Sequence, residues 1–332
     1  MNNKLKELEK VLGQNRIRVN EPMGAHTTFK IGGPAEFYID VSTVDYLVKA
    51  VHTARSVGLP VFIFGGGSNI IVSDAGLAGL VIKNNCRRFE VMRASGKVKR
   101  VDGKPTIDLD KALVFAEAGV IINQLVRFMI DQGLGGLEYQ LGLPGTVGGG
   151  VYMNSNFPKK GTYVGDGLFK ATLLGKDGSI KEVDHAYFKF AYDYSVLQET
   201  EEILLSCVFK LNAMDKEELW ERGMEALKYR DSTQPKGASA GCTFRNISIV
   251  EALRVPTPDR ITSAGFLVDQ AGLKGKKVGD AMISDVHANF ILNLGQAKAQ
   301  DVVTLVRLMK DEVYKKFGVH LALEVRTVGF NS

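Results

Sequence analysis

Nine residues near position 240 concentrate the reactive groups of this chain. Ala238-Ser239-Ala240-Gly241-Cys242-Thr243-Phe244-Arg245-Asn246 sets a thiol among small residues, with two ligand-type polar side chains close behind. Small neighbours let a substrate approach the backbone. A thiol in that setting can donate or accept a proton or act as a nucleophile, whereas an isolated free cysteine is commonly a buried, inert residue. Glu324 lies in Leu321-Ala322-Leu323-Glu324-Val325-Arg326. That alternation predicts a strand with Ala322, Glu324 and Arg326 on one face, either a working site or a solvated charged face. The histidines are His26, His52, His185, His287 and His320. No two stand at i, i+4 around a carboxylate, so no metal site is expected, and no Ser-His-Asp order can be assigned. His26 and His287 sit in polar, turn-like contexts, as suited to a surface as to a ligand.

Two glycine-rich turns suggest a second kind of chemistry. The first is Phe64-Gly65-Gly66-Gly67-Ser68-Asn69-Ile70-Ile71-Val72; the second is Gly142-Leu143-Pro144-Gly145-Thr146-Val147-Gly148-Gly149-Gly150. Each strips side chains from the backbone, so main-chain N–H groups can close on an anion such as a pyrophosphate. Two such turns suggest a dinucleotide gripped from two sides, and Ser68 and Asn69 add side-chain donors. The first turn lacks the Lys-Ser/Thr of a P-loop and runs into a β-branched segment, whereas a Rossmann turn opens a helix.

The elements that must carry these groups read as an α+β chain. A helix with Leu5, Leu8 and Leu12 on one face opens it. Strands are predicted at Glu36–Ile39, Leu59–Phe64 and Leu80–Lys83, around a helix capped by Thr43 with Leu47, Val51 and Ala54 inward. A helix from Ile122 to Gln132 carries Leu125, Phe128 and Met129 inward and ends at Gly133. Strands follow at Phe169–Leu174 and Ile203–Leu211, the first closed by a Lys176-Asp177-Gly178 turn. A helix from Lys216 to Tyr229 leads to Asp231–Gly237, the best linker candidate. Beyond it lie a helix at Gly265–Ala271, a strand at Phe290–Asn293 and a long helix after Ala299 that buries Val302, Val306, Met309, Val313 and Phe317.

Composition bounds the partners. At 332 residues the chain suggests two or three domains. The net charge of +5 is scattered, without a basic run and interleaved aromatics, so nucleic acid is not expected. No stretch approaches the ~18 apolar residues of a membrane span, and no signal peptide is read. Cys86, Cys207 and Cys242 have no metal or disulfide spacing, which suits free thiols in a reducing cytoplasm.

Taken together and in order, these segments resemble the UDP-N-acetylenolpyruvoylglucosamine reductase family over about residues 22–329. His26-Thr27-Thr28-Phe29-Lys30-Ile31-Gly32-Gly33-Pro34-Ala35 is similar to the family's opening segment. The two glycine turns are similar to its flavin-binding turns, and Ser239–Asn246 to its proton-donor segment. Ala264–Gly275 and His287-Ala288-Asn289-Phe290 match its substrate domain, and Glu324-Val325-Arg326 its C-terminal catalytic strand. The resemblance implies a vanillyl-alcohol-oxidase-type two-part FAD-binding fold followed by a smaller α+β substrate domain. The implied boundaries are 1–84 and 85–235 for the flavin, 236–320 for the substrate, and 321–332 for a strand returning to the flavin. It implies FAD and NADPH as cofactors and UDP-N-acetylglucosamine enolpyruvate as substrate, in a cytoplasmic monomer or weak oligomer of peptidoglycan synthesis.

By the same resemblance, hydride passes from flavin N5 to the enolpyruvyl C3, Cys242 supplies the proton to C2, and Glu324 helps to stabilise the enolate; Arg326 is counted with them as a candidate catalytic cation. Gly65, Gly66, Gly67, Ser68, Asn69, Gly142, Pro144, Gly145, Thr146, Gly148 and Gly149 are assigned to the flavin. Tyr152, Tyr192, Asn246, His287 and Asn289 are assigned to the substrate. Three positions depart from the family pattern. Cys242 replaces a serine; a thiol still donates, with an ordinary pKa near ~8.5. Asp193 stands where the family has a catalytic arginine, so either Arg245 or Arg326 substitutes or the alignment slips there. Thr233 replaces a lysine. These departures keep a non-catalytic flavin or nucleotide-sugar binding protein in view, and an FAD-dependent sugar or alcohol oxidase is the rival within the same fold.

Overall fold

A computed structural model of the chain describes residues 3–101, 104–255, 257 and 260–330, with the backbone alone over 97–101 and 104–109. Contacts divide the chain into two compact units, neither a continuous stretch. One runs to Arg16 and takes in Ile39–Gly66 and Ile82–Arg230; the other takes in Ile17–Tyr38, Gly67–Val81 and the chain from Asp231 on. The strands Pro34–Val41, Val61–Phe64 and Leu77–Asn84 and the helix Val44–Ser56 stand where the sequence pattern predicts them. The Thr43 side chain accepts from Tyr46 N, as a cap at that position should.

The first unit is organised by an antiparallel sheet in the order Ile180–Asp184, Leu168–Leu174, Ile203–Ala213, Lys104–Glu117, Phe89–Val101. Its central strand is buried without a break from Leu204 to Phe209, because neighbours cover both faces. The helix Ile122–Asp131 buries Ile122, Leu125, Val126, Met129 and Ile130, the i, i+3, i+4 spacing of a single stripe. Phe128 packs at the margin of that core, and Gly133 ends the helix at φ +67°. The paired strands Phe89–Val101 and Lys104–Glu117 have no counterpart in the sequence reading. Their pairing slips register between Val91 and Arg93 and again between Ser95 and Gly96, so the period of two that would reveal them is broken twice. The helix predicted to stop at Tyr229 runs on to Thr233, so the linker shortens to Gln234–Gly237.

The second unit packs the helices Ala264–Gln270 and Ala299–Phe317 with a three-stranded sheet, Lys277–Val278, Ala281–Ile283 and Ile291–Asn293. Leu267, Val268, Ile283, Ile291, Val302, Leu305 and Met309 form the middle of its core. The long helix is anchored at its start by Asp74, whose carboxylate oxygens accept from Ala299 N at 2.8 Å and Gln300 N at 3.0 Å. These are two of the N–H groups that a helix leaves unpaired, and the negative charge suits the helix dipole. The predicted strand over 321–326 is corrected: the regular strand is Arg326–Val328, parallel to Ile70–Val72. Before it, the buried residues are Leu321 and Val325, four apart, so exposure does not alternate and no strand face joins Glu324 to Arg326.

Candidate active site

Within the first unit the two glycine turns meet. A Cβ on Gly65 would lie 2.1 Å from Thr146 Oγ1, and one on Gly66 would lie 3.1 Å from Gly145 Cα. Gly145, at φ +102°, passes its carbonyl to Ile122 N at 3.1 Å, and Gly142 sits at φ +81°. The second turn opens a helix, Val147–Met153, which its glycines hide in the sequence. Val147 N and Gly148 N bond back to Val120 O and Ala118 O, both at 2.8 Å, which seats the helix start against the sheet. Pro144 stays exposed at the surface of this turn.

Gly149 is different. It is exposed, lies inside the helix, has no left-handed φ, and an added Cβ would meet nothing nearer than Thr146 Oγ1 at 3.9 Å. Neither strain nor packing demands glycine there, and glycine costs a helix up to about 1 kcal/mol against alanine. A ligand brought against that backbone accounts for it. The exposed Gly66, pressed on Gly145, presents a second bare stretch of main chain of the same kind. The cradle therefore fits a pyrophosphate-bearing cofactor.

The second unit holds the rest of the first turn and the thiol segment. Gly67, at φ +62°, could carry no side chain, since a Cβ would lie 2.5 Å from His26 O. Thr28, which the sequence reading passed over, donates its N–H to Gly67 O at 3.1 Å and its hydroxyl to Ser239 O at 2.8 Å. Only its place in the opening segment hinted at this. Ser68 is half-buried, and its carbonyl lies 4.0 Å from where a Cβ of Gly241 would be. Asn69 faces the C-terminal segment: its Nδ2 donates to Glu324 O at 3.4 Å, and its carbonyl accepts from Arg326 N at 3.0 Å.

Cys242 is half-buried and starts a strip held on both sides by main chain. On one side it bridges to Phe290, and Thr243 N donates to Asn289 O at 2.7 Å. On the other, Glu324 N donates to Thr243 O at 3.0 Å, Arg245 N donates to Ala322 O at 2.9 Å, and Phe244 bridges to Leu323. Cys242 and Glu324, far apart in sequence, are thus placed on adjacent segments. Asn246 accepts from Ala264 N at 3.1 Å and remains half-buried. The other two thiols are structural. Burial pushes Cys86 up to about 12, with Glu117 adding to it, and burial raises Cys207 as well.

Asn289 bonds the backbone of the thiol segment. It is 2% exposed, its Oδ1 accepts from Phe244 N at 2.9 Å, and its Nδ2 donates to Phe244 O at 2.8 Å. Its carboxamide pairs with the Phe244 backbone on both its donor and its acceptor side. His287, half-buried, accepts from Asn289 N at Nδ1 over 3.2 Å, so Nε2 carries the proton of the neutral ring. Burial lowers its pKa, and the charge of Lys274 lowers it further. A depressed value means that this contact is intact above the ordinary histidine range and is lost as pH falls through the folded-state pKa.

The remaining expected residues lie in the first unit. Tyr152 is half-buried on the glycine-rich helix, and its carbonyl accepts from Ser195 Oγ at 2.8 Å and Gln198 Nε2 at 3.1 Å. Tyr192 is exposed in the tight turn Ala191–Tyr194. Asp193 occupies that turn at φ +50°, a conformation that Asp tolerates better than most residues. It is 4% exposed, and its Oδ1 accepts from Asn156 Nδ2 at 3.0 Å. Asp193 is therefore a buried turn-former with its own hydrogen-bond partner. Thr233 closes the helix Lys216–Thr233.

The sequence pattern of the UDP-N-acetylenolpyruvoylglucosamine reductase C-terminal domain matches residues 233–328, and that of an FAD-binding domain matches 35–184. A UDP-N-acetylenolpyruvoylglucosamine reductase of Halalkalibacterium halodurans is 34% identical over 326 residues, 98% of each chain. A second, from Symbiobacterium thermophilum, is 37% identical over 320 residues, 95% of this chain and 93% of its own. The crystal structure of the Thermus caldophilus enzyme of the same name superposes with a TM-score of 0.70 at 34% identity, covering 94% of this chain and 99% of that one.

Proposed function

The chain belongs to the UDP-N-acetylenolpyruvoylglucosamine reductase family, and from that premise we propose how its own residues share out the reaction. The reaction is the FAD-dependent, NADPH-driven reduction of UDP-N-acetylglucosamine enolpyruvate to UDP-N-acetylmuramate, a step of peptidoglycan precursor synthesis. The chemistry that bound FAD supplies is transfer of a hydride from NADPH to the enolpyruvyl C3.

Backbone at Gly65, Gly66, Gly145 and Gly149 would hold the cofactor, with Gly67, Ser68, Asn69, Gly142, Pro144, Thr146 and Gly148 shaping the two turns. Hydride at C3 leaves an electron pair at C2 that spreads into the carboxylate as an enolate. The Cys242 thiol gives its proton to C2, which closes the balance of one hydride and one proton; the thiolate then regains a proton from water. Glu324 helps to stabilise the enolate. Arg326, exposed at the start of its strand, pairs with the substrate carboxylate in place of the cation that Asp193 does not supply. Asn246, His287 through Nε2–H, Tyr152 and Tyr192 complete the substrate contacts.

The observation that supports this reading is the main-chain strip in which Thr243, next to Cys242, accepts from Glu324 N. The functional stretches on this reading are 1–84 and 85–235 for the flavin, 236–320 for the substrate and 321–332 for the returning segment. We place the protein in the cytoplasm, where NADPH and nucleotide sugars are made, as a monomer or weak oligomer that serves cell shape, cell cycle and division through the wall. The test is the absorbance of the purified protein. An isoalloxazine spectrum, bleached by NADPH and restored by UDP-N-acetylglucosamine enolpyruvate, is the expected result. A colourless protein that stays colourless with added FAD, or a reduced flavin that this substrate does not reoxidise, overturns the reading.

A further inference from the structure

We propose that Asn289 is a positioning residue for proton delivery: its buried carboxamide acts as a two-point clamp that fixes the main chain two residues beyond Cys242. The inference rests on the reading of Cys242 as proton donor. Three hydrogen bonds join Asn289 to the strip. Two use the side chain, from Phe244 N at 2.9 Å and to Phe244 O at 2.8 Å, and one uses its carbonyl, from Thr243 N at 2.7 Å. The side chain thereby does what a neighbouring strand would do, pairing both polar groups of one residue. No regular strand provides those bonds, since Ile291–Asn293 starts two residues later. The clamp is itself braced. Ser284 Oγ accepts from Val286 N and His287 N, and His287 Nδ1 accepts from Asn289 N, so the whole turn is tied down.

Asparagine suits this position for a chemical reason. Only a carboxamide offers a donor and an acceptor side by side, as the Phe244 main chain requires; aspartate and leucine have the shape but not the pairing. A proton donor is sensitive to such support because a small misplacement of the donor costs rate steeply, while binding of cofactor elsewhere is untouched. The orphaned Phe244 N–H and C=O would seek new partners and carry the strip with them.

The experiment is stopped-flow on both half-reactions of the FAD-loaded protein. Asn289→Ser removes both side-chain bonds; Asn289→Asp keeps the shape and the acceptor but loses the donor. Each is expected to slow flavin reoxidation by UDP-N-acetylglucosamine enolpyruvate by on the order of 10-fold or more while NADPH reduction of the flavin stays within about 2-fold. In a Cys242→Ala background, Asn289→Ser is expected to slow reoxidation no further, because a residue that acts through Cys242 has nothing left to position. Wild-type reoxidation in a flavin-loaded Asn289 variant, or full additivity with Cys242→Ala, overturns the clamp. An unaffected Cys242→Ala single variant overturns instead the reading on which it rests. If neither Asn289 variant retains flavin, amide exchange of the unmodified protein decides: Phe244 N–H is expected to be protected, and exchange at the rate of an open loop overturns the inference.

Discussion

At Gly65–Gly66 and Gly145–Thr146 the first unit leaves side chains out; at Cys242–Arg245 the second pins a short stretch of main chain from several directions. In the first, two turns touch backbone to backbone, and the surface they offer is main chain. In the second, Asn289, Thr28, Asn69 and the segment around Glu324 each hold a stretch of chain distant from themselves. A pyrophosphate needs many equivalent donors and little discrimination, which bare backbone supplies. A proton transfer needs one group at one place, which requires a rigid frame behind it. The contrast predicts that damage to the strip will split the two half-reactions, and that damage to the cradle will remove the cofactor from both.

The strongest test of that contrast is Cys242. Cys242→Ala is expected to slow substrate-driven reoxidation by on the order of 10²- to 10⁴-fold, the range of a lost general acid, with NADPH reduction of the flavin preserved. Cys242→Ser is expected to stay active. The donor must carry its proton to work, so reoxidation in the unmodified protein should fall as pH rises through the thiol titration. The serine variant should lose that limb, since an alkanol stays protonated. Stopped-flow across pH on the three proteins reads all of this, and reoxidation of the alanine variant at the unmodified rate makes Cys242 merely structural.

On the cradle side, Gly66→Val places a branched side chain against Gly145 and should give a folded, colourless protein. Gly149→Ala is the finer probe, because no protein atom opposes the added methyl. It should leave the fold as stable as before, or firmer by up to about 1 kcal/mol. FAD affinity should nevertheless fall about 10-fold or more, the equivalent of roughly 1.4 kcal/mol. Flavin retention on dialysis together with a melting curve separates the two effects. Undiminished affinity would leave this glycine with no ligand to explain it.

The same contrast governs what the sequence makes legible. The cradle announces itself, because glycine clusters are visible as letters, although the helix that the second turn opens is hidden by the very glycines that form it. Amphipathic helices such as Ile122–Asp131 and Ala299–Phe317 are readable from spacing alone. The paired strands Phe89–Val101 and Lys104–Glu117 are not, because two register shifts erase their alternation. Cys242 and Glu324 stand out by residue type and by family likeness. Their adjacency does not, since it comes from bonds between segments far apart along the chain, such as Thr243 to Glu324. Asn289 looks like a substrate ligand in sequence because nothing in a string of letters tells whether an amide faces a ligand or its own backbone.

Arg326 sharpens the comparison further, as a side chain placed by the strip without being buried in it. Its N–H is fixed by Asn69 O at 3.0 Å while the residue itself is exposed. Arg326→Ala should slow reoxidation by about 10-fold, the equivalent of ~1.4 kcal/mol, and spare flavin reduction by NADPH. Arg326→Lys should recover only part of the loss, because a point charge does not reproduce a forked pair with a carboxylate. An unchanged rate in the alanine variant would move the search to Arg245.

The smallest expected effect belongs to Asp74, a residue that holds the second unit together without belonging to its strip. Its two oxygens satisfy the N–H groups of Ala299 and Gln300, at the start of a helix that supplies Val302, Leu305 and Met309 to the core. Asp74→Ala leaves those donors to water and removes a charge that the helix dipole favours, for a loss of about 1 kcal/mol. Asp74→Asn keeps one acceptor and should lose less. Cys242 and Glu324 draw their placement from other bonds, so both half-reactions should stay within about 2-fold of the unmodified rates, a difference of well under 1 kcal/mol. Denaturant titration alongside stopped-flow tests the separation. Equal stability in the alanine variant would show that Asp74 is not the anchor of the helix, and a selective loss of reoxidation would show that the anchor reaches the strip after all.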